Sequence, residues 1–157
     1  VITIGSCSKA YAMTGWRVGW LATESSVVDE TTKIRESTTA STPTPSQHAA
    51  IAALEGPQAP VREMQTAFRE RRDYVTDRLA EMDGVKASRS QGAFYAFLDP
   101  EGYDDSTALA KALVTEAGVV LAPGAGFGDA GEGKLRLSYA NSLDRLETGL
   151  DRLDAYL

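Results

Sequence analysis

The chain has 157 residues, 43% hydrophobic and 24% charged, the balance of a globular protein long enough to bury a core. Its formal net charge of −6, from 22 acidic against 16 basic residues, excludes the basic footprint of a general nucleic acid binder. No stretch approaches the ~20 apolar residues of a membrane-spanning helix, no signal-peptide pattern is present, and a single cysteine, Cys7, precludes an internal disulfide, so a cytoplasmic, reducing setting is expected.

Val1-Ile2-Thr3-Ile4 is rich in β-branched residues and predicts a strand that opens without any capping signal, as though the chain enters mid-fold. Val18–Ala22 predicts a second strand, and Ser25 or Ser26 is placed to cap a helix through Val27, Val28 and Ile34. That helix is expected to fade into Ser37–Ser46, whose hydroxyl side chains and two prolines have the composition of a linker. Ala49–Leu54 predicts a short alanine-rich helix ended by Gly56-Pro57, with His48 beside it as a packing or surface residue. In the long helix that follows, Val61, Met64, Phe68, Val75, Leu79 and Met82 recur by three, four or seven and line one core-facing stripe, with Gly84 placed to stop it. On the same helix Arg69, Arg71 and Arg72 stand among Glu63, Glu70, Asp73 and Asp77, which predicts a solvated face of intrahelical pairs.

Val85–Arg89 and Phe94–Leu98 predict two strands, turned by Gln91-Gly92 and closed by Asp99-Pro100. Ser106 is placed to cap a helix through Leu109, Leu113 and Val114 that stops at Gly118, after which Val119-Val120-Leu121 predicts a short strand. Pro123-Gly124-Ala125-Gly126-Phe127-Gly128 spells G-x-G-x-G and precedes no phosphate-binding helix, so a flexible turn is expected rather than a dinucleotide site. Lys134–Ala140 predicts the last strand, with Arg136 and Ser138 on one face and Leu135, Leu137 and Tyr139 on the other. Asn141 or Ser142 then caps a terminal helix whose Leu143, Leu146, Leu150, Leu153 and Leu157 form an apolar stripe. The alternation of strands and helices indicates an α/β layer architecture.

Chemistry concentrates in Ser6-Cys7-Ser8-Lys9-Ala10-Tyr11-Ala12-Met13-Thr14-Gly15-Trp16-Arg17-Val18-Gly19-Trp20, where Lys9 follows two hydroxyls and precedes Arg17 by eight residues. A lysine amine condenses with an aldehyde when desolvation or a neighbouring cation keeps part of it unprotonated. An arginine forks onto phosphate oxygens, and short hydroxyl side chains add hydrogen bonds. Lysine, hydroxyls and arginine together suit a phosphorylated aldehyde, pyridoxal phosphate; the plainer reading is a lysine at a strand end and an unrelated arginine on the next strand. S-x-x-K also opens penicillin-binding acyl-transfer sites, but their S-D-N and K-T-G do not occur in this sequence. With one histidine and one cysteine, no zinc site is expected.

The run resembles the lysine signature of the fold-type I pyridoxal phosphate-dependent aminotransferases of class I/II, in particular the aspartate aminotransferase family, in which S-x-x-K, a following aromatic, M-T-G and W-R-x-G recur together. The resemblance covers essentially the whole chain and implies the C-terminal part of the pyridoxal phosphate-dependent transferase fold. Residues 1–55 would close the large cofactor domain and residues 56–157 would form the small domain. It implies Lys9 as the Schiff-base lysine and catalytic base, Ser6 and Arg17 as partners of the cofactor phosphate, and Ser8 as a further hydrogen-bond donor. Leu135-Arg136-Leu137-Ser138-Tyr139-Ala140 is similar to the family's R-L-S-Y-A strand, whose arginine binds the substrate α-carboxylate; from spacing alone Arg136 is equally an edge-strand arginine in a surface ion pair.

The implied reaction moves an amino group between an L-amino acid, aspartate or similar, and a 2-oxo acid, in a cytoplasmic homodimer with no metal, nucleic acid or membrane partner. Under the same resemblance Ser37–Ser46, followed by Gln47, runs past the cofactor region near the subunit boundary, and Pro123–Gly128 matches a P-G-x-x-F-G turn. The family's ring-nitrogen aspartate, ring-oxygen tyrosine and asparagine, and phosphate loop lie upstream of its lysine, so the 157 residues alone are expected to have little or no transaminase activity. A pyridoxal phosphate-binding sensor domain of a transcription regulator and a pyridoxal phosphate lyase share the fold and the lysine. Met13-Thr14-Gly15-Trp16 favours the enzyme over the regulator.

Overall fold

In the computed structural model, which describes residues 1–157, helices and antiparallel strands alternate and the contacts divide into two units, Val1–Met64 and Gln65–Leu157. The first unit holds β1 (Thr3–Ser6), α1 (Cys7–Ala10), a 3₁₀ turn at Thr14–Trp16, β2 (Gly19–Ala22), α2 (Ser25–Thr39), α3 (Thr44–Glu55) and the start of α4 (Ala59–Glu81). Strands β1 and β2 pair from Thr3 opposite Ala22 to Ser6 opposite Gly19, two residues later on β1 than the β-branched run alone predicts. Cys7 is fully buried and anchors a small cluster with Met13 and Ala50, ringed by Tyr11, Val18, Ala49 and Ala53. The Tyr11 hydroxyl donates to Gln58 Oε1 at 3.4 Å, and Gln58 Nε2 donates to Ala53 O and Gly56 O, each at 2.9 Å, which closes the end of α3.

Helix α2 departs from its expected ends. Glu24 precedes it without a side-chain cap, and Ser25 and Ser26 lie inside its first turn. Its C-terminus persists into the polar run because Ser37, Thr38 and Thr39 donate to the carbonyls of Lys33, Ile34 and Arg35 at 3.0, 2.9 and 3.3 Å, satisfying the hydroxyls within the helix. Pro45 sits in the first turn of α3, where its missing N–H is not required, so the expected linker shrinks to residues 40–43.

In the second unit α4 continues, followed by β3 (Val85–Ala87), β4 (Tyr95–Pro100), α5 (Ser106–Ala112), β5 (Ala122–Pro123), β6 (Leu135–Ser138) and α6 (Leu143–Tyr156). The sheet order is β3-β4-β6-β5, every pair antiparallel. Alternation puts Ala96, Leu98, Leu135 and Leu137 on the inner face, where they pack with Val75, Leu79 and Met82, with Leu109 and Leu113, and with Leu146, Leu150 and Leu153. The outer face carries Tyr95, Phe97 and Asp99 from β4 beside Arg136 and Ser138 from β6. Gly84, at φ 72°, takes the left-handed conformation that ends the turn after α4.

Several expectations change here for physical reasons. Asp99 and Pro100 complete β4 rather than following it, and the proline is tolerated as the strand's last residue. Asp105, not Ser106, caps α5, its Oδ1 accepting from Thr107 N at 2.9 Å and Ala108 N at 2.8 Å. Val119–Leu121 forms no strand: Val119 and Leu121 are buried and Val120 is exposed, but Val119 N bonds back to Leu113 O at 2.9 Å, and pairing begins only at Ala122. Ser142 precedes α6 without a side-chain cap, its N–H taken by Asn141 Oδ1 at 3.0 Å.

The arginine-rich face of α4 is also not purely intrahelical. Asp73 receives Arg72 and, from the β3–β4 loop, Arg89, each at 2.7 Å; these guanidinium groups, Arg72's hydrogen bond first, hold its carboxyl below the usual range. Arg78 reaches across to Asp151 of α6 at 2.8 Å.

Candidate active site

Ser6 ends β1 in an extended conformation, and its Oγ accepts from Ser8 N at 3.1 Å and donates to Val18 O at 3.4 Å. Cys7 N donates to Val18 O at 3.3 Å, extending the ladder by one pair, so α1 and the Arg17–Val18 step leave the same end of the hairpin. Tyr11, Ala12 and Met13 N–H groups bond back to the carbonyls of Cys7, Lys9 and Ser8 at 3.2, 3.3 and 3.0 Å, and the buried Met13 pins this turn to the small core. Ala12 and Arg17 both adopt left-handed backbone, φ 53° and 52°, a conformation that costs a non-glycine residue about 1–2 kcal/mol. One N–H of Arg17 closes its own turn on Thr14 O at 2.9 Å.

This geometry brings Ser6, Ser8, Lys9 and Arg17 to one end of the β1–β2 hairpin, with Ser8 half-buried and Lys9 exposed in the last turn of α1. No aspartate or glutamate occurs in residues 1–23, so the segment is cationic inside a chain of net charge −6. The Arg17 guanidinium and the Ser6 and Ser8 hydroxyls are donors of the kind a phosphate dianion takes, and Lys9 is a primary amine of the kind that condenses with a carbonyl.

Arg136 belongs to the second unit. It lies on β6 between β4 and β5, opposite Phe97 and Ala122, so it is not on an edge strand, and no carboxylate pairs with it. Its guanidinium carbon instead sits 4.3 Å from the centre of the Tyr95 ring and 4.4 Å from that of Phe127. Phe127 meets Phe97 edge-on at 6.1 Å.

Phe127 ends a 3₁₀ turn, Gly124–Phe127, and this segment is not the free turn that its glycines suggest. Gly124 N donates to Lys134 O at 2.8 Å and Ala125 N donates to Ser106 Oγ at 3.1 Å. The Ser106 side chain and backbone N–H both donate to Glu132 Oε1 at 2.8 Å, and Gly133 N adds a third bond at 3.2 Å. The N–H of Ser106, then its hydroxyl and the N–H of Gly133, hold the Glu132 carboxyl below the usual glutamate range.

Phe127 falls in the P-G-x-x-F-G match, but no local motif sets it against Arg136 or brings Ser106 and Glu132 to it. The period-two pattern of β4 places Tyr95 on the face of Arg136, whereas the Ser106–Glu132 pair, 26 residues apart, has no local signature.

The family model for aminotransferase class I and II matches residues 1–153. An aspartate aminotransferase of Bacillus sp. (strain YM-2) is 37% identical over 162 residues, covering 99% of this chain and 41% of that protein. An asparagine–oxo-acid transaminase of Streptococcus mutans is 38% identical with the same coverage, 99% and 41%. The crystal structure of an aspartate aminotransferase from Thermotoga maritima superposes with a TM-score of 0.89 at 38% identity, over 99% of this chain and 39% of that one. The chain thus spans about two-fifths of the length of the curated relatives it matches. With the lysine hairpin, the arginine strand and a family match over nearly its whole length, the chain belongs to the class I and II aminotransferases.

Proposed function

We propose that this chain carries the cofactor lysine and the substrate-carboxylate arginine of a pyridoxal phosphate-dependent aminotransferase acting on an L-amino acid, aspartate or a close analogue, and a 2-oxo acid. The observation that carries the reading is the end of the β1–β2 hairpin, to which Ser6, Ser8, Lys9 and Arg17 are all brought within a segment that contains no aspartate or glutamate of its own. Its donor set fits the cofactor: a guanidinium and hydroxyls for the phosphate, a primary amine for the aldehyde. When bound, pyridoxal phosphate supplies a carbonyl for amines and an electron sink for the substrate Cα–H bond.

Lys9 Nζ would hold the group at its aldehyde carbon and, once released from that carbon by the incoming substrate amine, would be the free amine that moves the proton at the substrate Cα. Arg17 and Ser6 bind the phosphate, the guanidinium matching a dianion in a fork that an ammonium cannot make, and Ser8 adds a hydrogen bond. Arg136 orients the substrate by forking onto its α-carboxylate. Residues 1–55 are assigned to the cofactor domain and residues 56–157 to the small domain because α3 ends at Gly56-Pro57, whereas the contacts divide later, between Met64 and Gln65 within α4.

A buried, unpaired Cys7 suits a reducing cytoplasm, and the exposed Ile34, Ile51 and Leu54 of the first unit suit burial in a homodimer. The reported relatives are transaminases, which weighs against the lyase and regulator readings. The test is 2-oxo acid-dependent consumption of L-aspartate by the protein at its natural length. Lys9→Arg is expected to lower kcat by about 10²–10⁴-fold, and Arg136→Gln to raise KM for both substrates. Undiminished turnover by Lys9→Arg rejects the reading.

A further inference from the structure

Two aromatic rings lie against the Arg136 guanidinium, and the second of them has no reason in core packing to be where it is. Phe127 is 53% exposed, yet its ring lies 4.4 Å from the guanidinium carbon while Tyr95 lies at 4.3 Å. Its backbone is held from behind by Ala125 N on Ser106 Oγ, itself fixed by Glu132, and its ring is buttressed edge-on by Phe97. A ring stacked on a guanidinium takes a face, where the group forms no hydrogen bonds, and leaves open its N–H edges, where it forms all of them. No aspartate or glutamate pairs with Arg136 to occupy those edges. We propose that Phe127, with Tyr95, is a positioning residue for Arg136, holding the guanidinium in plane and unpaired so that its fork is ready for a carboxylate.

This inference rests on the reading of Arg136 as the carboxylate partner. It differs from a packing role in what it predicts. Losing the ring removes attraction to the cation and restores side-chain freedom that carboxylate binding must then take away, so affinity for the carboxylate falls while chemistry after binding does not. Phe127→Leu keeps apolar bulk without a ring, and Phe127→Tyr keeps the ring.

The experiment measures binding of propionate, a carboxylate without amino or oxo group, to the full-length holoenzyme by calorimetry, beside steady-state kinetics. Phe127→Leu is expected to weaken propionate and to raise KM for the amino acid about tenfold, with kcat within about twofold, whereas Phe127→Tyr stays near the parent. In an Arg136→Gln background Phe127→Leu is expected to have no further effect, because the ring acts through the guanidinium. In the NMR spectrum of the parent, the Arg136 side-chain protons are expected upfield of their usual positions and return toward them in Phe127→Leu.

Unchanged affinity in Phe127→Leu, or an equal loss with and without Arg136, overturns the positioning role while leaving the carboxylate reading intact. Unchanged propionate affinity in Arg136→Gln alone overturns the carboxylate reading itself. An Arg136 without upfield displacement in the parent overturns the stack even where a variant fails to fold.

Discussion

Replacing Gly124 by alanine is predicted to destabilise the turn that carries Phe127, and the obstacle is backbone. A Cβ at this position would overlap Gly131 O and lie 2.7 Å from Lys134 O. Gly124 N also donates to Lys134 O at 2.8 Å, so the turn cannot retreat from one carbonyl without giving up its own hydrogen bond. Overpacking costs roughly 1–3 kcal/mol, and two carbonyls that cannot rotate aside put this case at about 3 kcal/mol. For a chain of this length each kcal/mol moves the midpoint by about 2–4 °C, so Tm should fall by roughly 10 °C.

The same substitution at Gly126, in the same turn, meets no atom within 4 Å. Gly126→Ala should therefore melt within about 2 °C of the parent, with a slight gain as alanine narrows the unfolded ensemble. Paired far-UV circular dichroism melts decide the matter. If Gly124→Ala and Gly126→Ala melt together, the close approach of the two glycine backbones does not hold the turn, and the account of how Phe127 is placed is wrong.

Glu132 gives a pH signature. Its folded pKa is depressed by three donors, so its stabilising contribution is fully present above the ordinary carboxylate range and is lost as pH falls through the folded value. Urea midpoints followed against pH should drop more steeply at acid pH in the parent than in Glu132→Gln; parallel curves would show that the carboxylate charge is not what clasps Ser106. Asp73 and Glu101, also depressed, are common to both proteins and cancel in the comparison. Among the caps, Asp105→Ala should lose about 1 kcal/mol in urea denaturation because two backbone N–H groups lose their acceptor. Ser142→Ala, which removes no cap bond, should stay within about 0.5 kcal/mol.

The lysine hairpin was legible because its chemistry is local: the hydroxyls, amine and guanidinium lie within one short run, and two strands either side fold it back on itself. Long amphipathic stripes were legible for a similar reason, as with Val75 and Leu79 on α4 or Leu146, Leu150 and Leu153 on α6. Val119–Leu121 misled because alternate burial and strand pairing produce the same pattern, and only the partner strand distinguishes them. Ser37–Thr39 misled because composition does not reveal that hydroxyls have found helical carbonyls. The setting of Arg136 was out of reach, since Tyr95, Ser106, Phe127 and Glu132 come from four separate segments that only the folded sheet and turn assemble.

The most direct test of the central claim is to incubate the protein with pyridoxal phosphate, reduce it with borohydride, and map the modified peptide by mass spectrometry. The account predicts a phosphopyridoxyl group on Lys9 in stoichiometric amount, abolished in Lys9→Arg. Labelling at Lys33, Lys86, Lys111 or Lys134 in its place, or spread evenly over the five lysines, would contradict it.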